Sequence, residues 1–283
     1  MPELDKFISE VQMKISVVTV AFNEEKNIAK TIESVLNQTT NDIEYIICDG
    51  KSTDKTAEIA ESYNERFSLK GIEYVVNSEK DSGIYDAMNK GIEKATGEYI
   101  CFLNAGDWFY NNEIVENVIN KISASNKPDL LYGNVMFIER GVIFNFNGDE
   151  NGLETAMTVP HPSVFASAEI MKRNKFDTKY KIAADYNFVL GQKLAGKSFC
   201  KLDEIITCFS GDGVSSKNVI KSIKEREAVK ASYGLTANTF KTKINMYREQ
   251  INVIKRNLLP TKLWQLWSVK VQKRSLYREK DNF

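Results

Sequence analysis

Four apolar runs in the first 107 residues each stop abruptly in a short polar turn. Residues 17–22 stop in Asn23-Glu24-Glu25, 45–48 in Asp49-Gly50-Lys51-Ser52, 72–76 in Asn77-Ser78-Glu79, and 99–103 in Asn104-Ala105-Gly106-Asp107. Continuous apolar runs of this length suit strands buried on both faces of a parallel sheet. Between them the spacing becomes helical. Ile28, Ile32 and Val35 share one face of 25–38, and Ile84, Met88 and Ile92 share one face of 83–95, which Gly97 ends. A third helix is expected over 54–66, with Ser52 or Thr53 as its N-cap. Strand and helix alternating through short loops restrict the chain to an α/β fold around a mostly parallel sheet. Ligands of such sheets bind beyond the carboxyl ends of the strands, so the four polar turns describe one crevice.

The rhythm changes after residue 110. A helix over 112–123 precedes Pro128, and strands over 131–139 and 142–147 form a hairpin joined at Arg140-Gly141. Pro160-His161-Pro162 opens a short strand or loop, a helix begins near Ala184-Asp185, and 198–209 is a further strand. Beyond Ser215 the pattern is helical. Ile244, Tyr247, Ile251, Ile254 and Leu258 make a heptad-like seam read as packing on the domain, with self-association as a homodimer the alternative. Pro260 breaks that seam, and a last helix over 261–278 mixes Leu263, Trp264, Trp267 and Val271 with Lys262, Lys270, Lys273 and Arg274. The expected organisation is an extension over 1–13, a catalytic domain over 14–215 with halves 14–110 and 111–215, and a basic helical extension over 216–283.

The crevice residues are acids and amides. No GxGxxG and no Gly-rich GK[ST] loop follows the first strand, which removes the main support for a dinucleotide or P-loop site and for a nucleotidyltransferase. Acids repel phosphate unless a divalent metal stands between them, but they accept hydrogen bonds from a base or ribose. A nucleoside diphosphate bridged by Mg²⁺ or Mn²⁺ suits this composition.

The stretches 15–24 (ISVVTVAFNE), 31–38 (TIESVLNQ), 44–54 (EYIICDGKSTD), 81–91 (DSGIYDAMNKG) and 95–107 (ATGEYICFLNAGD) resemble, in order, the family 2 glycosyltransferases. The resemblance covers about 14–215, and its wording is closest to bacterial enzymes that build O-antigen, capsule and exopolysaccharide units. It implies a GT-A fold, a Rossmann-like mostly parallel sheet flanked by helices, here with a C-terminal helical extension. It also implies a nucleotide-sugar donor, a divalent cation and inversion at the anomeric carbon. Carried over by position, Thr19, Phe22, Asn23 and Glu24 line the base and ribose end and Asp49 bonds the base. Asp81, Asn89 and Lys90 approach ribose and diphosphate. The metal turn departs from the family's Asp-x-Asp: Asn104 and Gly106 stand at the acid positions, and Asp107, one position later, is the expected metal ligand. Asp185 in Ala183-Ala184-Asp185-Tyr186 matches the general base, with Asp177 as its competitor. A helix N-terminus keeps such a carboxylate ionised. His161 and Trp108 are expected contacts of the acceptor or diphosphate.

Charge is divided unevenly. Residues 217–283 carry 16 Lys+Arg against 5 Asp+Glu, a net of +11, which leaves −11 on residues 1–216. A basic tail with tryptophans suits an anionic membrane surface and, through it, a lipid-linked saccharide acceptor. No nucleic-acid motif accompanies the charge. The four cysteines stand singly in apolar runs, and neither a signal-peptide pattern nor a spanning apolar segment is present in the sequence. The expectation is a cytoplasmic enzyme, peripheral on the inner face of the membrane, using a UDP-sugar. A GDP-sugar enzyme or an inactive nucleotide-sugar-binding partner are the alternatives.

Overall fold

The computed structural model describes residues 13–210, 218–235, 258–272 and 275–276, together with Ile244, Tyr247 and Ile251. The 1–13 extension lies outside the described residues except for Met13, which is buried. Four strands are parallel: β1 (Ile15–Ala21), β2 (Ile43–Asp49), β3 (Glu73–Ser78) and β4 (Tyr99–Phe102). They stand in the order β3-β2-β1-β4. The chain thus winds outward from β1 to β3 and returns to the other side of β1. The β1/β4 junction is the point at which the strand order reverses, where a ligand crevice opens.

Helices α1 (Ile28–Leu36), α2 (Thr56–Glu61), α3 (Asn64–Lys70) and α4 (Ile84–Lys94) make the connections. Ile28, Ile32 and Val35 are fully buried, as their spacing requires. The helix expected over 54–66 is divided into α2 and α3 around Ser62 and Tyr63. Its first turn is satisfied by Asp54, whose carboxylate accepts from Thr56 N–H at 3.0 Å, and not by Ser52 or Thr53. In α4, Met88 and Ile92 are buried, but Ile84 is 36% exposed and Tyr85 turns inward in its place.

The second half is antiparallel where it meets the first. After β5 (Trp108–Phe109) and α5 (Ile114–Ala124), the hairpin β6 (Leu130–Glu139) and β7 (Val142–Phe146) turns at Arg140-Gly141, both with positive φ as a two-residue hairpin loop demands. β8 (Val164–Ser167) inserts between β4 and β6, antiparallel to both. Next come α6 (Ala168–Arg173), α7 (Ala184–Leu194) and β9 (Phe199–Ser210), which pairs with β6 and β5. Side chains alternate across the sheet. Val18 and Val20 join the apolar layer under α4, α6 and α7, while Val17 and Ala21 join the layer under α1, α3 and α5.

Within the extension, α8 (Val219–Ser232) packs on the domain: Val229 is fully buried in the layer that holds α7. The described members of the heptad-like seam are exposed. Tyr247 is 70% and Leu258 76% exposed, and Ile244 and Ile251 are also exposed; Ile254 lies outside the described residues. The last helix is shorter than expected. α9 (Thr261–Gln272) ends before β10 (Ser275–Leu276), which pairs antiparallel with β7. The open edge of β7 is thereby covered, which explains why the chain turns extended there. Trp264 anchors α9 against Val142 and Phe144.

Candidate functional site

The loops after β1 and β2 are laced together. Asp49, the last residue of β2, is 1% exposed, and its carboxylate accepts from the Ser78 hydroxyl at 2.5 Å, from Ser52 N–H at 3.1 Å and from the Ser52 hydroxyl. Ser52 Oγ in turn accepts from Asn23 N–H at 2.8 Å, and Asn23 Oδ1 accepts from Thr53 N–H at 2.9 Å. Glu24 N–H donates to Thr56 Oγ1 at 2.7 Å. Asn23 and Lys51 hold left-handed backbone (φ 55 and 65), a conformation tolerated by Asn and costly for Lys, of the kind that gathers at binding sites.

Beside this lattice, Phe22 is 60% exposed and lies against Gly50. Asp81 is fixed by Gly83 N–H at 2.8 Å, and its other oxygen lies so close to Gly50 that a Cβ there would collide with it. An open aromatic face next to Asp49 and Asp81 combines a stacking surface with acceptors for N–H and O–H donors.

The turn after β4 is stitched to β1 through Leu103 N–H to Val18 O (3.0 Å) and Ala105 N–H to Val20 O (3.1 Å). Asn104 Oδ1 is buried and has no hydrogen-bond partner. Burial pushes the Asp107 carboxyl up to about 8; a backbone bond from Asn104 offsets part of the rise, and the charge of Glu24 adds to it. Two acidic side chains thus lie close enough to feel each other, beside an amide oxygen with no donor. That donor set fits a divalent cation with hard oxygen ligands. Among the described residues no three His, Cys, Asp or Glu side chains gather round one point, so ligand oxygens and water must complete any such shell.

Asp185 is the second residue of α7. The Tyr85 hydroxyl lies 2.9 Å from Asp185 Oδ1 and 2.9 Å from the Ile182 carbonyl. Burial first, and the Asp185 charge second, raise the phenol well above its ordinary value, so it stays a donor. His161 stacks on Phe102 (5.6 Å between centroids) and meets Phe176 edge-on. Burial lowers its pKa, with the charge of Asp185 opposing, and its Nε2 is buried without a partner. Asp185, Tyr85 and His161 thus converge opposite the end of β4, one residue from the Leu103–Asp107 turn. Asp177 is instead paired with Lys179 at 2.7 Å.

Four expected contacts are placed otherwise. Thr19 is fully buried, bonding the Leu103 carbonyl at 2.6 Å and the Tyr45 hydroxyl at 2.9 Å, because the strand pleat turns it into the α1 layer. Asn89 closes a pair of 2.9 Å bonds with the backbone of Phe176. Lys90 holds the β3–α4 loop through the Lys80 carbonyl at 2.7 Å and Glu79 at 3.5 Å. Trp108 is buried beside Met136 and Cys208 with the Lys30 ammonium 3.0 Å from its ring centroid, so it supports the corner as packing and offers no open stacking face. Gly50, Ser52 and Ser78 were not among the expected contacts. Only the strand-end position of Ser78, in register with Asp49, marks it in the sequence.

A family model described as "Glycosyl transferase family 2" matches residues 16–193. The PGL/p-HBAD biosynthesis glycosyltransferase of Mycobacterium bovis (strain BCG / Pasteur 1173P2) is 29% identical over 176 residues, covering 61% of this chain and 67% of its own length. The amylovoran biosynthesis glycosyltransferase AmsB of Erwinia amylovora is 27% identical over 202 residues, 66% of each chain. Among solved structures, the mannosyltransferase PcManGT from Pyrobaculum calidifontis, in complex with GDP-Man and Mn²⁺, superposes with a TM-score of 0.59 at 13% identity, over 93% of this chain and 81% of that one. S. aureus TarS 1-349 in complex with UDP gives 0.57 at 19% identity, over 80% and 67%. Both structures share the GT-A fold with this chain.

Proposed function

The chain belongs to glycosyl transferase family 2 and is a glycosyltransferase, and we propose that it moves a sugar from a UDP-sugar, with inversion, to a lipid-linked saccharide in surface polysaccharide synthesis. The observation that carries this reading is the convergence of two groups at one sheet end. Exposed Phe22 stands with Asp49 and Asp81 at the ends of β1, β2 and β3, and Asp185 is bonded to Tyr85 in the first turn of α4, just after the Asp81 loop.

In this reading Phe22 covers the base, Asp49 takes a base N–H, and Asp81 takes a ribose hydroxyl. Asp107, Asn104 and Glu24 would hold Mg²⁺ or Mn²⁺, which supplies charge neutralisation for the departing diphosphate. Asp185 removes the proton of the acceptor hydroxyl as the glycosidic bond forms, with its carboxylate oriented by the Tyr85 O–H. His161, neutral and unpartnered at Nε2, presents a polar atom to the acceptor or diphosphate side.

The test is a donor screen with hydrolysis and transfer readouts across UDP- and GDP-sugars, with Mn²⁺. Turnover of a UDP-sugar that Asp185→Asn abolishes is expected. GDP-sugar turnover alone would overturn the choice of nucleotide, and unchanged transfer by Asp185→Asn would remove Asp185 from the base role.

The lipid-linked acceptor and a place on the inner membrane face rest on the net charge of +11 over 217–283 and on exposed apolar side chains there. Leu263 and Leu266 are 52% and 54% exposed on α9, beside exposed Lys262. Among the described residues no helix is long and apolar enough to cross a membrane. Sedimentation with phosphatidylcholine vesicles containing phosphatidylglycerol tests this. The Leu263→Ser/Leu266→Ser variant is expected to stay in the supernatant, and equal binding by the two proteins would count against a membrane-facing α9.

A further inference from the structure

We infer that Glu225 on α8 is a positioning residue for the general base, acting through the backbone that carries Asp185; this rests on the role proposed above for Asp185. One oxygen of Glu225, Oε2, accepts from Ile182 N–H at 2.7 Å and from Ala183 N–H at 3.1 Å. Ala183 is the cap residue of α7, so its N–H is one of the four donors left without a partner inside the helix, and the Ile182 N–H precedes it. An acid 42 residues away in sequence therefore does the capping.

The same turn is gripped from the other side. The Ile182 carbonyl lies 2.9 Å from the Tyr85 hydroxyl, which also lies 2.9 Å from Asp185 Oδ1. The charge of Glu225 is felt at the Tyr85 phenol, so the three groups form one cluster around residues 182–185. Ile182, Ala183 and Ala184 are buried, so their amides depend on a protein partner. α8 holds a second wall as well: Lys230, paired with Glu227, donates to the Thr155 carbonyl at 3.3 Å in the segment leading to His161. The helix that opens the C-terminal extension is thus bonded both to the turn that carries Asp185 and to the segment that leads to His161.

Capping through one oxygen makes a sharp distinction. An amide oxygen can accept both bonds, whereas a methyl group can accept neither. Glu225→Ala leaves the Asp185 turn unpinned, and Glu225→Gln restores it. Misplacement of a reacting group by an ångström costs up to about 100-fold in rate. Transfer kinetics on the full chain with the donor found in the screen should show kcat falling at least about tenfold in Glu225→Ala. UDP affinity by calorimetry should stay unchanged, and Glu225→Gln should recover kcat to within about threefold of wild type.

Amide hydrogen exchange at Ile182 and Ala183 provides a readout independent of turnover, accelerated in Glu225→Ala and restored in Glu225→Gln. Wild-type kcat in Glu225→Ala, measured below its Tm, would overturn the positioning role. So would a Glu225→Gln variant as impaired as Glu225→Ala, or unaltered exchange at the two amides. Failure of Asp185→Asn to slow transfer would strike the base assignment instead, and the exchange result would still judge the cap.

Discussion

Replacing Ser78 by Ala tests whether Asp49 is held as a buried carboxylate ready for a base. The Asp49 side chain is 1% exposed, and its Oδ2 has two donors, the Ser78 hydroxyl at 2.5 Å and Ser52 N–H at 3.1 Å. The substitution deletes the shorter bond and only one oxygen atom, so the dominant effect is the lost charge-assisted hydrogen bond and not a cavity. Hydrogen bonds to charged groups contribute about 1.5–3 kcal/mol. At about 2–4 °C per kcal/mol for a domain of this size, a central value of about 2 kcal/mol corresponds to a Tm drop of about 4–8 °C. A base N–H arriving at Asp49 would replace the missing donor. UDP should therefore raise the Tm of Ser78→Ala at least as much as that of wild type, while pyrophosphate, which has no base, should not narrow the gap. Thermal melts with each ligand decide the matter. A Ser78→Ala Tm within about 1 °C of wild type, or a UDP stabilisation that vanishes in the variant, would refute the reasoning.

Asp107 gives a pH test. Its carboxyl is raised to about 8, so its contribution to stability is full below the unfolded value near 4 and is lost as pH rises through about 8. Between pH 6 and 9 wild type should lose about 2 kcal/mol more than Asp107→Asn, the figure being reduced for the residue's partial exposure. Parallel melting curves for the two proteins over that range would contradict this. Tyr85→Phe removes the hydroxyl that orients Asp185 and should lower kcat about 10- to 100-fold with the donor KM little changed; an unchanged kcat would show that the bond is dispensable. Gly91→Ala places a methyl group into Val18 of β1, so overpacking of about 1–3 kcal/mol should outweigh the helix propensity gained, and chemical denaturation should show a net loss.

The parallel half of the fold was legible because each of its strands is a local apolar run and two of its connecting helices, α1 and α4, show a 3- or 4-residue repeat. Those signals need no knowledge of partners. β5, β10 and α6 are too short to have a period, and β10 is defined by its pairing with the edge of β7. Site residues divide in the same way. Phe22, Asp49, Asp81 and Asp107 stand at strand ends or in the turns after them, and strand ends can be read in sequence.

The buried position of Thr19 also has a signal in the sequence. It lies two residues from Val17 and from Ala21, and period 2 puts all three on the α1 side. Asn89 and Lys90 have residue types suited to a phosphate, but their partners, Phe176 and Lys80, are set by tertiary contact. Glu225 left no local trace, since its role depends on α8 meeting the start of α7.

The turn 103–107 shows why a shortened acid motif need not mean a shortened acid site. Gly106 holds φ +97, a backbone region an aspartate would occupy only under strain, so the fold of this turn itself opposes an acid at that position. Asn104 retains an oxygen where the family usually has a carboxylate, and that oxygen is buried with no partner. The remaining charge comes from β1, which pairs with β4 in parallel and delivers Glu24 close enough for its charge to raise Asp107. Two adjacent strand ends therefore bring two acidic side chains near each other, beside an amide oxygen, where a single turn offers one acid. A reading confined to one motif counts one acid; the β1/β4 junction, where the sheet reverses its order, counts two.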